Sequence, residues 1–296
     1  MKRTLSSNNK IKIVAIVGPT ASGKTAYSIE YAKNNNGEII SADSRLVYKG
    51  LNIGTAKPTL DEMQNIPHYM IDIVEPVDEY SVGLYKQQAQ EIIKNINSRG
   101  KTPIIVGGTG LYIDILLKGF QLPEIKPDKA LREDLYKKDT NLLYNMLKEK
   151  DNNSALKIEK NDKKKIIRAL EIVILSGKSL NEARGFLESP YEIEWIGKNF
   201  RRDLLYSRID SRVDKMLEKG LVSETKTLLN KYGHIPNIIN TIGYKEITQY
   251  LDGILSLDES INLLKKNTRN YAKRQLTWFR KNDAIKWDVY PEKLKK

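Results

Sequence analysis

The sequence predicts an α/β chain: a P-loop parallel sheet core flanked by helices, with an all-helical insertion domain. Three observations predict it. Residues 11–17 form a short apolar run, of the kind buried on both faces of a parallel sheet, leading directly into a glycine loop. Two more such runs, residues 38–42 and 103–106, also end in turn-forming residues. After Gly119 the spacing of apolar residues becomes helical, and no buried-strand run returns until Ile193. The chain therefore divides into residues 1–120, the first part of the core; 121–198, the helical insertion; and 199–296, the C-terminal helical part of the core.

The glycine loop is Gly18-Pro19-Thr20-Ala21-Ser22-Gly23-Lys24-Thr25, which meets G-x-x-x-x-G-K-[ST] at every fixed position. Residues 25–33 after it keep helical spacing, with Ala26, Ile29 and Ala32 about one turn apart. A strand that enters a glycine loop and opens a helix points several backbone N–H groups, and the positive helix end, at one place. A phosphate or diphosphate fits there. Lys24 neutralises the outer phosphate, and the Thr25 hydroxyl is the expected ligand of Mg2+.

The second strand delivers Asp43-Ser44-Arg45 to the carboxyl edge of the sheet, where α/β folds bind ligands. Asp43 either accepts a proton or hydrogen bond there or caps a turn. Residues 54–58 read as a loop and 68–74 as a strand, with His68 a satisfied strand-edge histidine. Residues 81–96 read as a helix through Leu84, Ala89, Ile92, Ile93 and Ile96. The strand at 103–106 ends in Gly107-Gly108-Thr109-Gly110, bringing the Thr109 hydroxyl to the same edge.

Residues 122–127 read as an exit linker, followed by helices at 130–137, 142–150 and 163–175. The last is capped by Asn161 or Asp162, stops at Gly177 and carries Lys164 and Arg168 on a basic face. Residues 192–196 alternate as a strand. In the helix at 207–219, Arg208, Arg212, Lys215 and Lys219 form a basic line, read either as contact with ligand or RNA phosphates or as ordinary surface. Near the end, Lys266, Arg269, Lys273 and Arg280 share a helix face with Trp278 nearby, a pattern that suits looped RNA or a solvated outer helix.

Composition narrows the classes. The net charge of +13 favours a polyanionic partner, although abundant Lys, Asn and Ile also fit a general composition bias. The absence of cysteine excludes disulfides and thiolate metal sites, and two histidines argue against a histidine-rich metal centre. No apolar run approaches a membrane span, and the basic first ten residues lack the hydrophobic segment of a secretory signal. The expectation is a frayed tail on a cytoplasmic protein.

Taken in order, residues 18–25, 41–48, 52–58 and 106–112, then Arg168-Ala169-Leu170-Glu171, Ile242-Gly243-Tyr244-Lys245 and residues 272–280, resemble the tRNA dimethylallyltransferases along nearly the whole chain. The resemblance implies transfer of a dimethylallyl group from its diphosphate to the exocyclic amine of the adenosine just 3′ of the anticodon, releasing diphosphate. It implies that the P-loop holds the donor's diphosphate with Mg2+ on Thr25, that Asp43 accepts the amine proton, and that Thr109 meets the tRNA near the reacting base. We add Arg208 or Arg212 as a second grip on the diphosphate. The family's tRNA contacts map to Asp43, Ser44, Arg45 and Leu46, to Arg132, to Lys164, Lys165, Ile166, Ile167 and Arg168, and to Asn240, Thr241, Ile242, Gly243, Tyr244 and Lys245; the basic helix face adds Arg269 and Lys273. The expected partners are the tRNA anticodon stem-loop and dimethylallyl diphosphate, bound by a monomer. Leu46 stands where many members have glutamine, and Lys163 and Lys165 stand where proline and arginine are common. A small-molecule or nucleoside kinase, or a nucleotide-gated RNA-binding switch, would also use the loop.

Overall fold

A computed structural model describes residues 10–123 and 125–289. The expected N-terminal tail, and Glu124 of the linker, lie outside the described residues. The chain forms two compact units, 1–117 with 190–296, and 118–189.

The first unit opens with β1 (Ile11–Val17), α1 (Lys24–Asn34), β2 (Gly37–Ser41), α2 (Leu60–Met63), β3 (His68–Tyr69), α3 (Val82–Ser98), β4 (Thr102–Gly107) and α4 (Gly110–Leu117). The second holds α5 (Lys129–Lys137), α6 (Thr140–Lys150), α7 (Asn152–Ala155), α8 (Lys163–Ser176) and α9 (Leu180–Ala183). The first then resumes with β5 (Tyr191–Gly197), α10 (Arg202–Glu218), α11 (Leu221–Tyr232), α12 (Pro236–Ile239), α13 (Tyr244–Leu251), α14 (Leu257–Phe279) and β6 (Lys286–Trp287).

Among the described residues six strands make one parallel sheet in the order β3-β2-β4-β1-β5-β6. The near-continuous apolar run of β1 follows from its central position, with both faces covered. Ile13, Ala15 and Val17 pack with Tyr85, Ala89 and Ile93 of α3 and with Ile113 of α4. Val14 and Ile16 face the other way, onto Ile29 and Ala32 of α1. A third apolar cluster joins Val47, Tyr48 and Leu51 to α10, α11, α13 and α14.

Two expectations are corrected. The insertion ends at Ser189 rather than 198, because β5 runs alongside β1 from Ile11↔Tyr191 to Val17↔Gly197. The alternating residues of 191–197 therefore belong to the core sheet. The strand expected over 68–74 stops at Tyr69. Met70 and Asp72 take left-handed backbone (φ 64° and 54°), and the chain folds back so that Ile73 N–H donates to the Val47 carbonyl at 2.9 Å. Apolar content there serves loop packing rather than a strand.

The 118–189 unit has its own core, in which Leu143 and Leu147 of α6 meet Ile166, Ile167 and Leu170 of α8. The Asp162 side chain caps α8, accepting from Lys165 N–H, and Gly177 in left-handed conformation ends it.

Candidate active site

The β1–α1 loop is shaped by close approach. Gly18 has φ 150°, and a Cβ there would lie 2.1 Å from the Lys198 carbonyl oxygen. Only glycine fits. Gly23, at φ 81°, makes no side-chain cap on α1, and the first turn of α1 carries no acidic residue. The helix thus offers uncompensated N–H groups and a positive end to an anion.

A cavity of about 540 Å3 in the first unit is lined by Thr20, Lys24 and Thr25 from this loop, by Asp43, Ser44, Arg45 and Leu46 after β2, and by Arg212 of α10. Asn240, Thr241, Ile242 and Lys245 complete the set of expected residues that reach it. Lys24 Nζ donates to the Pro19 carbonyl at 2.5 Å and lies 3.5 Å from Ser22 Oγ. Desolvation, reinforced by the Arg212 guanidinium and only partly opposed by Asp43, pushes the Lys24 ammonium down to about 7. The lining carries five basic side chains, Lys24, Arg45, Arg212, Lys245 and Arg274, against two carboxylates, Asp43 and Glu246, which leaves the cavity short of negative charge. A polyanion is the ligand that corrects it.

The two α10 arginines divide their work. Arg212 lines the cavity and donates to the Thr55 carbonyl at 3.4 Å. Arg208 instead donates its Nε–H to the Ala21 carbonyl at 3.0 Å and stacks over the Phe200 ring, bracing the loop from its backbone side. It is a support for the cradle rather than a wall of the cavity.

Asp43 caps a turn and also lines the cavity. Its Oδ1 accepts from Arg45 N–H at 2.8 Å, closing a turn. Its Oδ2 makes no hydrogen bond among the described residues. Thr109 is tied to the same turn: its Oγ1 accepts from Ser44 N–H at 3.1 Å and pairs with the Tyr271 hydroxyl, and its N–H donates to the Ala42 carbonyl at 3.2 Å. Burial, with Asp43 nearby, holds the Tyr271 phenol protonated well above its ordinary range.

Several expected RNA contacts are structural. Tyr244 is fully buried, its hydroxyl donating to Glu224 Oε1 at 2.6 Å and accepting from Gly54 N–H at 3.2 Å, while Glu224 also takes Ile53 N–H at 2.8 Å. The preceding Gly243 is buried and donates its N–H to Glu246. Ile166 and Ile167 sit in the core of the second unit. Arg132 and Arg168 both grip the buried Glu171, Arg132 through two 2.9 Å bonds, and Arg168 also donates to the Ile125 carbonyl at 3.0 Å. Burial raises the Glu171 carboxyl, but the two guanidinium partners outweigh it and hold it low. Lys163 donates to the carbonyls of Tyr136 and Lys138, Lys164 is exposed, and Lys165 pairs with Asp162 at 2.6 Å.

The basic line of α14 does not face the cavity. Arg269 is bound to Asp210 of α10 at 2.5 Å, and Lys273 is not among the lining residues. The lining stripe of α14 is Asn267, Thr268, Tyr271, Arg274 and Gln275. Gln275 shares the buried stripe of α14 with Leu264, Ala272 and Phe279, and a glutamine at such a position is the sign in the sequence of a polar task.

A family model described as IPP transferase matches residues 46–282. The chain belongs to the IPP transferase family. A relative named tRNA dimethylallyltransferase, from Caldanaerobacter subterraneus subsp. tengcongensis, is 48% identical over 290 residues, covering 94% of this chain and 91% of its own. The crystal structure of the full-length tRNA isopentenylpyrophosphate transferase from Bacillus halodurans matches at TM-score 0.72 and 44% identity, over 94% of this chain and 89% of that one. A eukaryotic dimethylallyltransferase acting on tRNA matches at TM-score 0.79 and 33% identity, over 91% and 70%. The parallel sheet and its helices are thus the IPP transferase fold, and these relatives do not favour the kinase alternative.

Proposed function

We propose that this chain transfers the dimethylallyl group of dimethylallyl diphosphate to the exocyclic amine of the adenosine 3′-adjacent to the anticodon of tRNA, releasing diphosphate. The observation that carries the reading is the anion-deficient cavity in which Lys24, Arg212 and the open end of α1 stand near Asp43. The amine lone pair forms the new C–N bond while the allylic C–O bond breaks, and its electron pair leaves on diphosphate. The loop amides, Lys24 and Arg212 stabilise that leaving group. Asp43 takes the proton the amine loses, through Oδ2, while Oδ1 keeps the turn in place. The Thr25 hydroxyl and the diphosphate oxygens would hold Mg2+, which supplies further charge neutralisation when bound; a site completed by phosphate oxygens and water needs no protein carboxylate cluster.

A stacked anticodon-loop base cannot reach a carboxylate inside a cavity, so the adenosine must turn out of the loop, at a cost of about a few kcal/mol. Arg45, Lys245 and Arg274 at the cavity are the cations available to hold flanking phosphates. Among the described residues no helix is long and apolar enough to cross a membrane. The reading takes the enzyme as a monomer working in the cytoplasm.

The test is incubation with labelled dimethylallyl diphosphate, Mg2+ and an unmodified anticodon stem-loop, followed by nucleoside analysis. Label in the adenosine next to the anticodon is expected. Unlabelled RNA, together with phosphoryl transfer from ATP to a metabolite, would overturn the proposal in favour of a kinase.

A further inference from the structure

Gln275 lies on α14 with 5% of its surface exposed, between two loops. Its Oε1 accepts from Thr20 N–H at 2.8 Å, and its Nε2 donates to the Gly108 carbonyl at 3.0 Å. Both partners are backbone groups of irregular segments, which lack a ladder partner of their own. The contact is tight: a Cβ on Gly108 would fall 2.1 Å from Nε2. One residue further on, Thr109 holds the Ala42 carbonyl and Ser44 N–H, and so the Asp43 turn. One side-chain amide therefore joins the phosphate cradle to the segment that carries the carboxylate.

We propose that Gln275 is a positioning residue for the transfer, setting the distance between the loop that holds the diphosphate and the loops that carry Thr109 and Asp43. It also commits the Thr20 N–H to the protein, leaving the ligand to the N–H groups nearer Lys24. The inference rests on the transfer reaction proposed above. A terminal amide presents an acceptor and a donor at one planar end, as these two backbone groups require. Leucine keeps most of the volume and loses both bonds. Glutamate keeps the acceptor for Thr20, loses the donor for Gly108 and adds negative charge beside the diphosphate. Spacing matters because a displacement of about 1 Å from near-attack geometry costs on the order of 100-fold in rate.

The experiment compares wild type, Gln275→Leu and Gln275→Glu in steady-state transfer to an anticodon stem-loop, with calorimetric binding of inorganic diphosphate plus Mg2+. For Gln275→Leu we expect kcat to fall about 10- to 100-fold, with stem-loop affinity within a few-fold of wild type. Its diphosphate affinity should fall roughly five- to tenfold, the worth of about one hydrogen bond. Gln275→Glu should lose more diphosphate affinity than Gln275→Leu. A folded Gln275→Leu protein with kcat and diphosphate affinity within twofold of wild type overturns the proposal, as does an activity loss that only follows the fraction unfolded. If the leucine variant does not fold, the same limits apply to Gln275→Glu. An inactive wild type would refute the transfer reading instead, and the diphosphate arm would still decide whether Gln275 shapes the cradle.

Discussion

Replacing Lys24 with methionine should stabilise the ligand-free protein while weakening diphosphate binding, and the gain should shrink as pH rises. Desolvation, then Arg212, lower the Lys24 ammonium from its ordinary 10.5 to about 7. Between those values the unfolded chain holds a proton on this lysine that the folded chain has released. Stability therefore rises with pH across the window, with a limiting slope of about 1.4 kcal/mol per pH unit. Below pH 7 both states are protonated and the full penalty is constant. From pH 7 to pH 9 the wild type should recover about 2 kcal/mol, as a ceiling, because water entering the cavity screens part of the effect. The assay is urea unfolding of wild type and Lys24→Met, without ligand, at pH 7, 8 and 9. The difference between the two proteins should narrow with pH, which cancels the titration of all other groups. Saturating diphosphate supplies the missing anion, and the wild-type slope due to Lys24 should then disappear. A stability difference that stays constant over this range would show that Lys24 is not held partly neutral and that the cavity is not short of negative charge.

Asp43→Ala should abolish transfer and leave stem-loop binding within a few-fold of normal; near-normal turnover would remove the carboxylate from the chemistry. Tyr244→Phe deletes the buried hydroxyl shared by Glu224 and Gly54 and should cost about 1–3 kcal/mol in urea unfolding, with the salt dependence of RNA binding unchanged. A changed salt dependence with unchanged stability would return Tyr244 to the RNA surface. Arg274→Ala, at the cavity, should reduce the slope of log affinity against log salt by about one, whereas Arg269→Ala, which breaks the Asp210 pair, should leave it unaltered. Filter binding over a salt series checks both, and equal slopes for the two variants would contradict the division of α14 into a bracing face and a cavity face.

The legible parts of this chain were those governed by neighbours in sequence. The spacing of 18–25 dictates a strand, a loop and a helix because its glycines and lysine act within one turn of backbone. The buried runs at 11–17 and 103–106 mark central parallel strands because only such strands are covered on both faces. Helix limits at Ser81, Asp162 and Gly177 follow from local capping. Which charged groups are free to act was decided by tertiary packing alone. Arg208 and Arg212 are one turn apart on the same helix, yet one braces Ala21 and the other enters the cavity. Arg269 looked like a phosphate ligand until Asp210, from another helix, neutralised it. Tyr244 stands in a motif whose resemblance implies RNA contact, but folding drives it between Gly54 and Glu224. The physical reason is the range of the interactions: helix spacing and turn chemistry act over a few residues, whereas pairing and desolvation depend on groups far apart in the chain, such as Thr20 and Gln275.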